Sequence, residues 1–227
     1  APLLTPNWSP NGERFVFHSD QIPQHLFTVG ANGKGLKKLT GPDSPNPNFE
    51  NTVIGKWSPS GDRILFSVEA GDKSGVYTMN ADGSELEKLV GWSVQPAWFP
   101  SGERIAYIGF DSSSNRQIFV ADDDGTNQRQ LTDRNSTSSM GWPSVSPGGE
   151  HIAFSYKRQV YLMNTDGNKV RQVTGGNGYA KQPVWSPDGE EILFWRRFFE
   201  GAKSTEHLYL LDVETLDVAP VFPATES

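Results

Sequence analysis

The chain contains no cysteine. That absence removes disulfide frameworks, thiolate zinc sites and thiol nucleophiles from the chemistries open to it, while leaving the compartment undecided. No run approaches 18 uninterrupted apolar residues, and no positively charged leader precedes an apolar stretch. Neither a membrane-spanning helix nor a signal peptide is therefore read in it. No Gly-x-Ser-x-Gly elbow of a serine hydrolase appears, and no glycine-rich phosphate loop. Apolar residues make up only 35% of the chain, yet aromatics reach 11% with seven Trp, so a core must be built from rings on short elements. The formal net charge of −7 repels phosphate backbones, and no nucleic-acid partner is expected.

What is present is a repeat. Trp185-Ser186-Pro187-Asp188-Gly189 recurs as Trp8-Ser9-Pro10-Asn11-Gly12, Trp57-Ser58-Pro59-Ser60-Gly61, Trp98-Phe99-Pro100-Ser101-Gly102 and Val145-Ser146-Pro147-Gly148-Gly149. By subtraction of the residue numbers, successive starts lie 49, 41, 47 and 40 residues apart. A period of this length marks stacked supersecondary units. The third copy shows the unit most clearly: Val94-Gln95-Pro96-Ala97-Trp98, a Ser-Gly turn, Arg104-Ile105-Ala106-Tyr107-Ile108, a polar loop, Gln117-Ile118-Phe119-Val120-Ala121, the turn Asp124-Gly125, then Arg129-Gln130-Leu131-Thr132. That pattern predicts a four-stranded antiparallel meander, with Asp-Gly or Asn-Gly supplying the positive φ of tight hairpins. The second and third strands are apolar enough to be covered on both faces. The fourth is polar in four copies, as suits an outer edge. In the fifth copy Val218-Ala219-Pro220-Val221-Phe222 is apolar, so that edge is expected to be covered by the chain terminus or by another subunit.

Trp-Ser-Pro-Asp-Gly, an apolar strand, Ile/Leu-Tyr-x-Met-Asn-x-Asp-Gly and Leu-Thr, repeated in register, strongly resemble the TolB-type β-propeller repeat. The resemblance covers about residues 4–222. With the five copies counted above, it implies an all-β, five-bladed β-propeller of four-stranded antiparallel blades, forming one domain over 1–227 with blades at about 4–40, 53–90, 94–132, 140–174 and 181–222. Residues 4–8 are expected in the first strand of the first blade. TolB itself is similar to a six-bladed ring with an additional N-terminal domain, and these 227 residues are expected to form neither the sixth blade nor that domain. The same repeat occurs in periplasmic adaptors, oligopeptidase caps and some polysaccharide lyases, so the resemblance leaves function open.

In a propeller the fourth-to-first and second-to-third connections emerge on one face. All the long irregular segments here are of that kind, at 41–51, 69–74, 111–116, 133–139, 175–180 and 197–206, so a site is expected on that face. Tyr156, Lys157, Arg158, Tyr179, Lys181, Arg196, Arg197, Phe198, Phe199 and Lys203 form the leading candidate, with Phe198 and Phe199 read as two adjacent exposed rings. Cations interleaved with rings suit a carboxylate-bearing partner, whether peptide or acidic glycan, through forked hydrogen bonds and stacking. At a channel mouth, Gln95, Trp142 and Gln182 stand three residues before their anchors, and amides with a Trp could hold a peptide end or a sugar. The plainer alternative is a narrow channel that is simply filled.

His18, Asp20 and His25, with His207 expected to open the third strand of the fifth blade, are weak candidates for a divalent metal. Polar residues at strand ends explain them as well, and no cofactor is expected. Asp122-Asp123-Asp124-Gly125 reads as a hairpin turn rather than a calcium loop, since the glutamate at the twelfth position and the flanking helices are missing. Asn135-Ser136-Thr137 matches a glycosylation acceptor.

The resulting expectation is a non-catalytic protein-binding or assembly module, periplasmic or extracellular; a start at Ala1 rather than Met fits a chain left after signal cleavage, and equally a trimmed one. A glycan-binding or metal-assisted polysaccharide-acting protein is the alternative. A structural subunit of a surface assembly, oligomeric through the apolar last strand, is a third.

Overall fold

The computed structural model describes residues 6–19, 22–134, 140–200 and 203–222. Among them there is no α-helix, and the chain forms five four-stranded antiparallel sheets. Four run in simple chain order. The first comprises Asn7–Trp8, Arg14–His18, Leu26–Gly30 and Lys37–Lys38; the second Thr52–Trp57, Arg63–Val68, Gly75–Asn80 and Glu87–Gly91. The fourth comprises Gly141–Val145, His151–Tyr156, Gln159–Asn164 and Arg171–Gln172; the fifth Tyr179–Trp185, Glu191–Glu200, Lys203–Asp212 and Val218–Pro220. The third is the same meander, Val94–Trp98, Arg104–Phe110, Arg116–Asp122 and Arg129–Gln130. These are the five antiparallel blades predicted from the repeat. Of the expected first strand of blade one, Asn7 and Trp8 pair with Val16 and Phe15, and Leu4 and Thr5 lie outside the described residues.

The chain divides into two compact units, residues 1–109 with 120–129, and residues 110–119 with 130–227. The first is built on Val16, Leu26, Trp57, Ile64, Phe66 and Met79, the second on Val160, Leu162, Ala180, Ile192, Phe194 and Leu211. At about 25 cal/mol per Å² of apolar surface, these strand interiors are what hold each unit together.

Each letter of the repeat has a physical task. The motif serine caps the second strand: Ser9, Ser58, Ser146 and Ser186 Oγ accept from the backbone N–H groups of Arg14, Arg63, His151 and Glu191 at 2.9 to 3.0 Å. Where Phe99 replaces serine, the Arg104 guanidinium lies 4.5 Å over its ring. The threonine of Leu-Thr is buried and satisfies the start of the third strand. Thr40, Thr132 and Thr174 Oγ1 accept from the N–H of Leu26, Ile118 and Val160 at 2.9 to 3.0 Å. Two anchor indoles tie blades together, Trp98 Nε1 donating to the Lys56 carbonyl at 3.4 Å and Trp185 Nε1 to that of Ser144 at 3.0 Å, whereas Trp57 Nε1 is buried without a partner among the described residues.

The second motif glycine is required by close approach as well as by positive φ. A Cβ at Gly125 would fall on the Leu89 carbonyl oxygen, and one at Gly167 would sit 2.7 Å from that of Leu131. The first strands carry a bulge not foreseen in the sequence. Ile54, Gln95, Trp142 and Gln182, at equivalent positions, all adopt φ between 54° and 58°. Such a bulge bends the strand and re-aims a side chain.

Two expectations about the fifth blade are corrected. The segment 197–206 is not an irregular loop, because pairing continues through Arg197↔Glu206, Phe198↔Thr205 and Phe199↔Ser204 into a hairpin of two ten-residue strands. Alternating side chains on 194–199 find partners across that ladder, and this extends the sheet into the segment expected to be irregular. His207 is accordingly the fifth residue of the third strand and not its first. In the outer strand Val218 packs on the core, while Ala219 and Pro220 are exposed.

Candidate functional site

All ten residues of the basic and aromatic cluster lie in the second unit. Lys157 and Arg158 form the two-residue turn between the second and third strands of blade four, with φ of 47° and 66°. Positive φ at both central residues is the hairpin geometry that Asn-Gly fills without strain. Here two long cations occupy it. The Ala180 N–H donates to the Arg158 carbonyl at 2.8 Å, and the Arg158 guanidinium lies 4.1 Å from the Tyr179 ring centroid. Tyr179 in turn meets Phe199 at 4.8 Å. Lys157 Nζ is 5.5 Å over Tyr156, a ring only 5% exposed that packs edge-on to Tyr161. Tyr156 is therefore a support under the turn.

On blade five, Lys181 and Arg197 converge on Glu206. Lys181 Nζ stands 3.4 Å from Oε1, and Arg197 donates to the same oxygen. Burial pushes the Glu206 carboxyl up, but the Arg197 hydrogen bond and the charges of Lys181 and Arg197 outweigh it and hold the group below its ordinary value. Arg196 turns inward to the carbonyls of Gly175 and Asn177 and covers Phe198 and Tyr209 at 5.4 and 5.6 Å. The expectation of two adjacent exposed Phe is thereby corrected: Phe199 is 50% exposed, whereas Phe198 is half-buried against Tyr209 at 6.2 Å. Lys203 is exposed at the start of the third strand.

Two cavities open here. One of about 200 Å³ is lined by Arg116, Met140, Trp142, Ser155, Arg158, Tyr179 and Lys181, among others. Arg116 was not singled out in the sequence, because it stands in a polar stretch and only folding brings it near blades four and five. The other, about 500 Å³, is lined by Asn177, Gly178, Tyr179, Phe198, Phe199, Thr205, His207 and Tyr209. Of the three channel-mouth candidates, Trp142 lines the smaller cavity and the Gln182 N–H donates to Ser155 Oγ at 3.1 Å. Gln95 lies in the first unit.

His18 and His25 lie in blade one. His18 is buried at 5% exposure, its Nδ1 3.1 Å from the Ser19 carbonyl oxygen. Burial, reinforced by Lys38, lowers the His25 pKa. Asp20 and Asn135-Ser136-Thr137 lie outside the described residues. Among the described residues no three His, Cys, Asp or Glu side chains gather to hold a metal ion. No helix among them is long and apolar enough to cross a membrane.

Five four-stranded blades with one capped repeat define a β-propeller repeat protein. The family model of the TolB beta propeller domain matches residues 2–155 and 87–215, and the chain belongs to that family. It is similar to the uncharacterized protein Atu1656 of Agrobacterium fabrum, 29% identical over 203 residues, covering 87% of this chain and 56% of that protein. It is also similar to the uncharacterized peptidase YuxL of Bacillus subtilis, 23% identical over 199 residues, covering 85% of this chain and 29% of that protein. A solved structure assigned as TolB of Agrobacterium tumefaciens superposes with a TM-score of 0.81 at 22% identity, over 97% of this chain and 81% of that one. The chain thus spans between about a third and about half of the curated relatives.

Proposed function

We propose that this chain is a non-catalytic binding module that presents the loop side of blades four and five to a protein partner outside the cytoplasm. The observation that carries the reading is the surface made by Lys157, Arg158, Tyr179, Phe199 and Lys203, where cations and rings are layered on a protein of net charge −7. Stacked rings and guanidinium groups are the residue types that dominate protein interfaces. The similarity to a peptidase covers 29% of that protein, and this chain carries no nucleophile elbow of its own. Cross-linking through Lys157 and Lys203 in cells producing the full-length gene product, with fractionation, tests both parts. The expected result is one dominant protein adduct in the envelope or medium, lost when Arg158 is changed to Glu with both lysines kept. Turnover on a peptide or polysaccharide panel contradicts the reading.

A glycan-binding reading has its own support in the 500 Å³ cavity, where Tyr179, Phe198, Phe199 and Tyr209 offer ring faces beside the amide of Asn177, the hydroxyl of Thr205 and the imidazole of His207. That volume falls within the range of small-ligand sites. A blank glycan array removes it.

A further inference from the structure

We infer that the smaller cavity of the second unit is a subsite for one acidic side chain of the partner peptide, which it receives as a carboxylate. The inference rests on the protein-binding reading above and sharpens it. Three observations carry it. First, the lining residues include three cations, Arg116, Arg158 and Lys181, and no Asp or Glu. Lys181 is partly neutralised by Glu206, which it shares with Arg197. No ion pair is found for Arg116 or Arg158 among the described residues. A concave site with cations and no lining acid favours an anion, and guanidinium groups favour the planar, two-oxygen form of a carboxylate.

Second, the cavity holds about 200 Å³. Sites for drug-sized ligands run from roughly 300 to 1,000 Å³. The space suits a single side chain better than a chain of sugar rings, and this decides for the peptide. Third, the walls are set before binding. Tyr179 carries the Arg158 guanidinium on its face at 4.1 Å, the Ala180 N–H pins the Arg158 backbone, and Trp142 is re-aimed by the bulge at its own φ of 57°. The bulge recurs in four blades, but only in blade four does it carry a ring. Preordered groups lose less freedom on binding. The strained Lys157-Arg158 turn fits the same reading, since a pair of non-glycine residues at positive φ is retained where the side chains serve another purpose.

The test is a ¹H–¹⁵N NMR titration of the whole chain with acetyl-Phe-Glu-amide, its uncharged isostere acetyl-Phe-Gln-amide, and galacturonic acid. The acidic dipeptide is expected to move the amides of Gly141, Trp142 and Ala180 in a saturable way, with the isostere at least about tenfold weaker. Lys157→Asn with Arg158→Gly, which relieves the turn and keeps the fold, is expected to abolish those shifts. Equal response to the isostere, no response to the acidic dipeptide, or shifts that survive the double substitution overturns the proposal. A response to galacturonic acid without one to the acidic dipeptide overturns it too, in favour of a sugar acid. If the titration fails while the cellular adduct persists, only the subsite falls; loss of the adduct removes the broader reading.

Discussion

The two units each contain a small cavity of nearly equal size, and the two differ in the origin and charge of their walls. The one in the first unit, about 230 Å³, is lined by Ser9, Asn11, Arg14, Lys37, Trp57, Gly61, Ala81 and Asp82. Most of these are turn and anchor residues of the repeat. Its lining includes an acid: Asp82, whose carboxyl Lys37 helps to hold low, stands beside Arg14, which donates to Thr28 Oγ1 at 2.7 Å while its Nε is buried without a hydrogen-bond partner among the described residues. It is the gap left where two capped turns meet. The cavity of the second unit is lined by residues that the repeat does not prescribe, with three cations and no Asp or Glu among them. Volume alone therefore does not separate the proposed subsite from a packing gap; the proposal rests on the departure of its walls from the repeat and on the absence of a lining acid.

The sharpest way to break the contrast is to disturb the repeat itself, which should cost stability in either unit. Gly125→Ala and Gly167→Ala add a Cβ at positive φ against a carbonyl oxygen. Each is expected to destabilise by roughly 2 to 4 kcal/mol, from backbone strain and overpacking together. Gly12→Ala, at φ of 71° with nothing within 4 Å, should cost only about 1 kcal/mol. Thermal melts of the three proteins check the order. Next in size is Thr174→Val, which strands the buried Val160 N–H and should cost about 1 to 3 kcal/mol in denaturant unfolding.

A smaller effect of opposite sign sharpens the comparison. Lys157→Asn with Arg158→Gly should stabilise by about 0.5 to 1 kcal/mol, because the new residues accept the φ values that the native pair resists. Such a gain would fit the proposed reading, in which the native pair is kept for binding at a cost in stability. Unchanged or lowered stability would mean the turn is not strained.

The last prediction is of pH dependence. Burial lowers the Lys56 ammonium from its ordinary 10.5 to about 8. Because the unfolded chain binds that proton more tightly, the destabilisation is complete below pH 8 and relieved as pH rises from 8 to 10.5. Lys56→Met should therefore be more stable than the parent at pH 7, with the difference shrinking across that window. In the opposite range, hydrogen bonds hold the exposed Asp82, Asp124 and Asp188 carboxyls below their ordinary 3.8. Their contribution is present above that value and is lost as pH falls through it and below.

The blades were legible because Ser, Gly and Thr do local work at fixed offsets that most copies of the motif repeat. Ser186 capping Glu191 and Thr174 capping Val160 are readable as letters at fixed offsets. The site was less legible because its geometry depends on which elements meet. Arg116 is one polar residue among several until it is seen beside Arg158 and Trp142. Tyr156 and Phe198 looked like surface rings and are held under the turn and against Tyr209. The extended hairpin escaped notice because Arg197, Glu206 and Lys203 are residues of a loop by composition, and only cross-strand pairing makes them a sheet. The bulges at Ile54, Gln95, Trp142 and Gln182 leave no compositional mark, since none of the four is glycine or asparagine.

The most direct measurement is to reverse one charge in each cavity and follow capture of the same cross-linked partner. With Arg158→Glu in the second unit and Lys37→Glu in the first, both variants folded by their melts, the account predicts loss of the adduct for Arg158→Glu and retention for Lys37→Glu. Equal capture by the two variants, or loss confined to Lys37→Glu, would contradict it.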